Sequence, residues 1–401
     1  MKFGFFGIPH TGGTYTVYKH LRDGLSKKGI DVRWIGVGPE AASVRGDSTW
    51  EHEWQNGDVV AGDTVDEAIQ GRQLVEHLED AGYHGVFVNV LANRAQTNAV
   101  RYLYSDILRI MIVHSISLGT YAAARSIRDY VHNTIAVSPR IKDDLVKKYA
   151  FRANRIDVIS HSIDFKDYDN IERYTNSVPL KLISLGRVED LSKGVLWLPE
   201  IIKLLDSSNV TLTIVGDGPD LNRLKSACAE LKEQVRFTGS VPLEEVPFLF
   251  SQHDVFIMPS RFEGFGHTLL EAMAAGCVPI SSRIRGTTEY IVQDGENGFL
   301  FPIGDCRSAA HLIAMLANDK QLLERMSINC KRTVNDRFNI ERMVSDYSKA
   351  IYSIRTKRPF IKQPLDINDW YIPYGLKPGL RTILPDWFKN MARKYREVFR
   401  L

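Results

Sequence analysis

Residues 259–280 read PSRFEGFGHTLLEAMAAGCVPI. The run DVFIMPS (254–260) has the apolar, β-branched character of a buried strand, RFEGFGH (261–267) is a glycine-rich turn, and TLLEAMAAG (268–276) is a helix ended by Gly276. Two carboxylates stand out, Glu263 ahead of the turn and Glu271 inside the apolar helix. His267 and Glu271 form an i, i+4 pair, so Glu271 faces the side of the turn that carries Glu263. A strand, a glycine turn and a helix in this order make one unit of a parallel α/β sheet.

Outward from this stretch the same rhythm recurs. GFFGIP (4–9), DVRWIG (31–36), GVFVNV (85–90), RIMIVHS (109–115), TIAVS (134–138) and IDVIS (156–160) read as strands with amphipathic segments between them. The polar stretch DFKDYDNIERYTNSVP (164–179) interrupts the pattern as a linker would. It restarts with KLISLGR (181–187), TLTIVGDG (211–218), VRFTGS (235–240), DVFIMPS, VPISSR (278–283) and GFLFPI (298–303). The expected fold is α/β, two Rossmann-like doubly wound domains whose ligands bind beyond the carboxyl ends of the strands, hence in a central cleft that both domains face. Expected boundaries are 1–165, 166–340 and a C-terminal segment 341–401.

A length of 401 residues exceeds the usual single core. With 51 Lys plus Arg against 48 Asp plus Glu, the net charge of +3 excludes a protein built around a nucleic-acid backbone. Cys228, Cys277, Cys306 and Cys330 are widely spaced without a CxxC pair, which indicates neither zinc nor a disulfide framework. No apolar run approaches the ~20 residues that span a bilayer, and the start lacks a cleavage site, so a cytoplasmic location is expected.

Three further segments carry chemistry. GIPHTGGTYTVYKHLRDGLSKKG follows the first strand with Gly12 and Gly13 before a helix that puts Val17, Leu21 and Leu25 inward. Glycines there let a ligand approach the backbone at a helix N-terminus, or simply make a tight turn. It is not a dinucleotide fingerprint, and VGDGPDL (215–221) fails the same test at Leu221. LGRVEDLSKG (185–194) puts Arg187 just past a strand end and Lys193 six positions on; two such cations can hold a diphosphate, but taken alone the pair reads more simply as two solvated surface charges. For Glu263 and Glu271, carboxylates suit the vicinal hydroxyls of a sugar and of a ribose, while N–H groups between them suit phosphate. The alternative is a capping glutamate and a solvated one.

PSRFEGFGHTLLEAMAAGCVPI resembles the E-x7-E segment of the family-4 retaining glycosyltransferases of GT-B fold. LGRVEDLSKG, IVGDGPDL, VRFTGSVP, GTTEYIVQDGENGFLFP and VISHSID (158–164) are similar too, so the likeness runs from about Gly7 to Phe338. The resemblance implies transfer of a sugar from a nucleotide donor, expected to be UDP-linked, to a glycan or lipid-linked acceptor of the cell envelope. It implies that Arg187 and Lys193 hold the donor diphosphate. Glu263 and the turn Gly264, Phe265, Gly266 and His267 would meet the donor sugar, Thr268 would add a hydroxyl donor to phosphate, Glu271 would bind the ribose, and the base would lie near Ser240 and Val241. Gly12 and Gly13 would approach the donor phosphate and the acceptor, and His114 resembles the family's cleft histidine, although a lone histidine at a strand end is also compatible with a structural role. Front-face attack in such enzymes needs no dedicated base, and the one acidic near-match to a DxD metal motif, DYD at 167–169, lies in the linker, so no metal and no cofactor are expected.

The sequence departs from the family pattern at His161 and Ser162, where Asn and Gly are frequent, and at His267 and Thr268. A UDP-sugar epimerase of the same architecture and a non-catalytic nucleotide-sugar-binding protein are the alternative readings. In the tail, LPDWFKNMARKYREVFRL (384–401) aligns Trp387, Met391, Tyr395 and Val398 on one stripe with Lys389, Arg393, Arg396 and Arg400 mostly elsewhere. Such a helix packs on its own protein or lies on an anionic membrane.

Overall fold

The computed structural model describes residues 1–90, 92–169, 178–205, 209–377, 384, 385, 388 and 391. Of the tail's stripe, Trp387, Tyr395 and Val398 lie outside the described residues, as do Lys389, Arg393, Arg396 and Arg400, and so does 170–177 of the linker. The chain divides into two compact units, one of Met1–His161 with the segment that begins at Ile340, the other based on Ser162–Asn339.

Seven strands form the sheet of the first unit: β1 (Lys2–Phe6), β2 (Asp31–Val37), β3 (Gly57–Val60), β4 (Gly85–Asn89), β5 (Leu108–Val113), β6 (Asn133–Ala136) and β7 (Ile156–Val158). All pair in parallel, in the order β3-β2-β1-β4-β5-β6-β7. β4 and β5 are buried along their whole length, as strands covered by helices on both faces must be. The helix Gly13–Ser26 shows the packing logic: Val17, Leu21 and Leu25 fall on one face and are buried, each contributing about 1.5–3 kcal/mol of hydrophobic free energy. The helix Ile340–Lys357 belongs to this unit, its Tyr347 ring set edge-on to Phe87 of β4 at 5.7 Å between centroids.

β3 escapes the sequence reading. GDVV is a short edge strand at the end of a polar segment, and it is held by its register on β2, with Gly57 opposite Trp34. A Cβ at Gly57 would fall 2.1 Å from the Trp34 indole, so the flat face of the ring takes the place of the missing side chain.

The second unit has six parallel strands, β8 (Leu180–Leu185), β9 (Val210–Val215), β10 (Val235–Gly239), β11 (Val255–Met258), β12 (Val278–Ser282) and β13 (Phe299–Phe301), in the order β10-β9-β8-β11-β12-β13. The α/β doubly wound expectation therefore holds for both halves. In each sheet the strand order reverses once, between β1 and β4 and between β8 and β11. A crevice opens beyond the carboxyl ends of strands at such a reversal, because the crossovers on its two sides lead to opposite faces.

Candidate active site

At the reversal of the second sheet, a pocket is lined by the ends of β8, β9 and β11, the loop with Arg187 and Lys193, and the turn with Glu263, Gly266, His267 and Thr268. The pocket's cavity volume is about 60 Å³. Lys193 Nζ donates to Glu263 Oε1 at 2.5 Å, and Ser260 Oγ donates to the same oxygen at 2.9 Å. The two residues that the sequence places in separate roles are thus one ion pair. The ammonium is about one-third exposed and stays within reach of a ligand. Arg187 stands at the rim, 67% exposed, with Glu189 3.9 Å away.

The Lys193 loop is held by groups that the sequence reading overlooks. Arg261 pairs with Asp190 at 3.0 Å, donates to the Asp190 carbonyl, and lies over the Trp197 ring at 3.6 Å. Its backbone N–H donates to the Ser192 carbonyl. Because Arg261 precedes the Glu263 turn, this network fixes Lys193 and Glu263 relative to each other. Gly194, at φ +61°, lets the loop pass the end of β11, where a Cβ would come 2.2 Å from the Pro259 carbonyl oxygen. The only sequence signal for this was a cation beside the turn, which by itself reads as surface charge.

The helix His267–Ala274 begins at Gly266, which is left-handed at φ +95° and supplies no capping side chain. Its positive end therefore faces the Glu263 turn. Glu271 lies on the helix 3.8 Å from His267 and is not among the residues lining the pocket. It neighbours Tyr168, whose hydroxyl is pushed up by burial and by the Glu271 charge. Ser240 and Val241 follow β10, the edge strand two places from β8, and also stand outside the pocket lining. Of the expected donor residues, the structure gathers Arg187, Lys193, Glu263, Gly266, His267 and Thr268. Among the described residues no group of three or more His, Cys, Asp or Glu is placed to hold a metal ion, and no helix is long and apolar enough to cross a membrane.

The first unit has its own pocket at its reversal, about 370 Å³, lined by the ends of β1, β2 and β4, His10, Thr14, Tyr15, Glu40, Asn93, Gln96 and His114. His114 is engaged through both ring nitrogens. Asn89 Nδ2 donates to the Phe6 carbonyl, so its Oδ1 accepts, and His114 Nε2 must carry the proton that bridges them at 2.9 Å. Nδ1 then accepts from His161 Nε2 at 3.1 Å. Burial holds His114 neutral, its pKa pushed down to about 4. His161, noticed in the sequence only as a departure from the family pattern, is thereby the second partner that sets the His114 tautomer.

The glycine loop differs from expectation in one respect. The His10 ring folds back over it, Nδ1 accepting from the Gly12 N–H at 2.8 Å and Nε2 meeting Thr14 Oγ1 at 2.9 Å. A Cβ on Gly12 would strike that ring at 2.8 Å, so the glycine makes room for an imidazole in this structure. Gly13 opens the helix, and neither glycine lines the pocket.

Residues 171–333 match the model of the glycosyl transferases group 1. The chain is 30% identical over 281 residues to the N-acetyl-alpha-D-glucosaminyl L-malate synthase of Bacillus anthracis, covering 68% of this chain and 66% of that one. It is 26% identical over 252 residues to a sulfoquinovosyl transferase of Arabidopsis thaliana, covering 58% and 48%. The chain thus spans between about half and two thirds of these relatives' lengths. Among solved structures, the Anabaena HepE protein in complex with UDP superposes with a TM-score of 0.72 at 17% identity, over 88% of this chain and 100% of that one. The chain has the GT-B fold of glycosyltransferases, and its residues 171–333 match the glycosyl transferases group 1.

Proposed function

We propose that the protein is a retaining, metal-independent glycosyltransferase that moves a sugar from a UDP-linked donor to a hydroxyl of a glycan or lipid-linked acceptor, within family 4 as marked by Glu263 and Glu271. The observation that carries this reading is the Lys193–Glu263 pair at the strand reversal of the second sheet, with Arg187 on the rim and an uncapped helix start beside it. The donor diphosphate draws Lys193 and Arg187 to its oxygens, and Glu263 is then released to accept from donor-sugar hydroxyls. As the bond from the anomeric carbon to the phosphate oxygen breaks, the added charge on that oxygen meets Lys193, so the contact strengthens in the transition state. The acceptor oxygen bonds to the same face, and its proton passes to the departing phosphate oxygen.

Two comparisons support the donor class: the group 1 match and a fold relative solved with UDP. The neutral polar pocket of the first unit, with one carboxylate and no Lys or Arg in its lining, suits an uncharged hydroxyl acceptor. His114, fixed as the neutral tautomer, is a hydrogen-bonding group there rather than the acceptor's base. Ser240, Val241 and Glu271 remain the proposed contacts of base and ribose. The test is UDP release from a panel of UDP-, GDP- and ADP-sugars with EDTA present throughout, followed by NMR of the product's anomeric proton. Release from one UDP-sugar with an α-configured product from an α-configured donor is expected. Binding without release, or a requirement for divalent metal, contradicts the proposal.

A further inference from the structure

The first unit carries a second cavity, about 280 Å³, at the opposite edge of its sheet from the pocket just described. Asn133 and Thr134 at the start of β6, and Arg155 just before β7, form its back, whereas His114 follows the far end of β5. At about 3.3 Å per residue, the length of these strands separates the two openings. The walls hold four cations, Arg128, Arg152, Arg155 and Lys362, against one carboxylate, Asp129.

That carboxylate is already shared, 3.3 Å from Arg128 and 3.4 Å from Lys362. Arg128 Nη1 donates to the Tyr149 carbonyl at 2.7 Å, and Arg155 Nη1 donates to the Phe360 carbonyl at 2.7 Å, so the guanidiniums are oriented by backbone. Among the described residues Arg152 and Arg155 have no carboxylate within ion-pair distance, and they sit three residues apart on one loop. The neighbouring His132 is pushed down to about 4, first by burial and then by the charges of Arg109, Arg155 and Arg358. Like charges around one cavity, two of them held in place by backbone carbonyls, leave a repulsion that a bound anion relieves. Phe360, 78% exposed, stands at the mouth.

We propose that this cavity is a binding site for a phosphate-class oxyanion, held between Arg152, Arg155 and Lys362, and distinct from the site of sugar transfer. Guanidinium forks match phosphate oxygens in pairs, which favours phosphate over chloride. The group is either a soluble phosphate ester or the headgroup of an anionic lipid, and in both cases it lies away from the reacting atoms, so it anchors or regulates rather than reacts.

The full chain, with Lys193→Ala introduced to weaken the donor pocket, is titrated with inorganic phosphate by calorimetry at ionic strength fixed with sodium chloride, and floated with vesicles of phosphatidylglycerol or of phosphatidylcholine. The same measurements are made with Arg152→Glu added; Arg152 is exposed, so the fold tolerates the change. Phosphate affinity weakened on the order of tenfold or more by Arg152→Glu, with vesicles indifferent, assigns a soluble phosphate. Flotation with phosphatidylglycerol alone, lost in Arg152→Glu, assigns the lipid headgroup. Phosphate and vesicle binding that are equal with and without Arg152→Glu overturn the proposal. In the otherwise unaltered chain, Arg152→Glu leaves turnover of a UDP-sugar unchanged.

Discussion

The carboxyl ends of the two sheets are built alike and equipped differently. Each pocket opens where the strand order reverses, yet the second unit puts charges there, Arg187 and the Lys193–Glu263 pair, while the first puts neutral groups, Thr14, Asn89, Asn93, Gln96 and the His114–His161 pair, with Glu40 as its one carboxylate. The backbone supplies the crevice in both cases and the side chains decide what it takes. Positive charge suits a diphosphate that gains negative charge during reaction, whereas a neutral, tautomer-fixed network suits hydroxyls.

The widest gap between the two ends is expected from Lys193→Ala. Losing one charge-assisted contact that strengthens in the transition state lowers kcat/KM for the donor by about 10- to 100-fold, and the melting temperature changes little because a partly exposed pair adds about 1 kcal/mol or less to stability. A variant with full turnover removes Lys193 from the donor site. On the neutral side, Asn89→Ala frees the His114 Nε2–H and loosens the ring; with a net ~0.5–1.5 kcal/mol per hydrogen bond, a rise in acceptor KM of up to about tenfold is expected, with donor affinity unchanged. Equal effects on donor and acceptor would erase the division of labour.

The neutral histidines also give a pH signature. His114 and His132 are pushed down to about 4, so between that value and the ordinary 6.5 the unfolded chain binds protons that the folded one does not. The stability that these two groups contribute by staying neutral is therefore complete above about pH 6.5 and is lost as pH falls toward 4; melting temperatures measured from pH 7.5 to 4.5 should decline across that window. A flat profile contradicts the neutral network. The smallest effect is expected from Glu40→Gln, which removes the one carboxylate of the first pocket and raises the rate with an anionic acceptor relative to a neutral one by at most a few-fold, since an exposed charge contributes roughly 0.2–1 kcal/mol. No change in that ratio places Glu40 away from the acceptor.

How far the sequence discloses these two ends differs for the same physical reason. Among the described residues twelve strands are legible because each is a short apolar run bounded by turn residues, and β3, a four-residue edge strand held by contact with Trp34, is hidden. Lys193, Glu263 and His267 are legible because strand, glycine turn and helix fix their positions locally. Arg261, which locks the Lys193 loop, and His161, which sets the His114 tautomer, act through partners 71 and 47 positions away, and no local spacing announces them. The side chain of His10 lying over Gly12 is hidden likewise, since glycine at a helix start reads as space for a ligand and here is space for an imidazole.

Lys193, held by Glu263, is proposed to grip the donor diphosphate. The most direct test of that role is the affinity of the protein for UDP in EDTA, by calorimetry, in the unaltered chain and in Lys193→Ala. Binding without metal, weakened about tenfold or more by the substitution, is expected; equal affinity in both proteins, or no binding until a divalent cation is added, would rule out that role for Lys193.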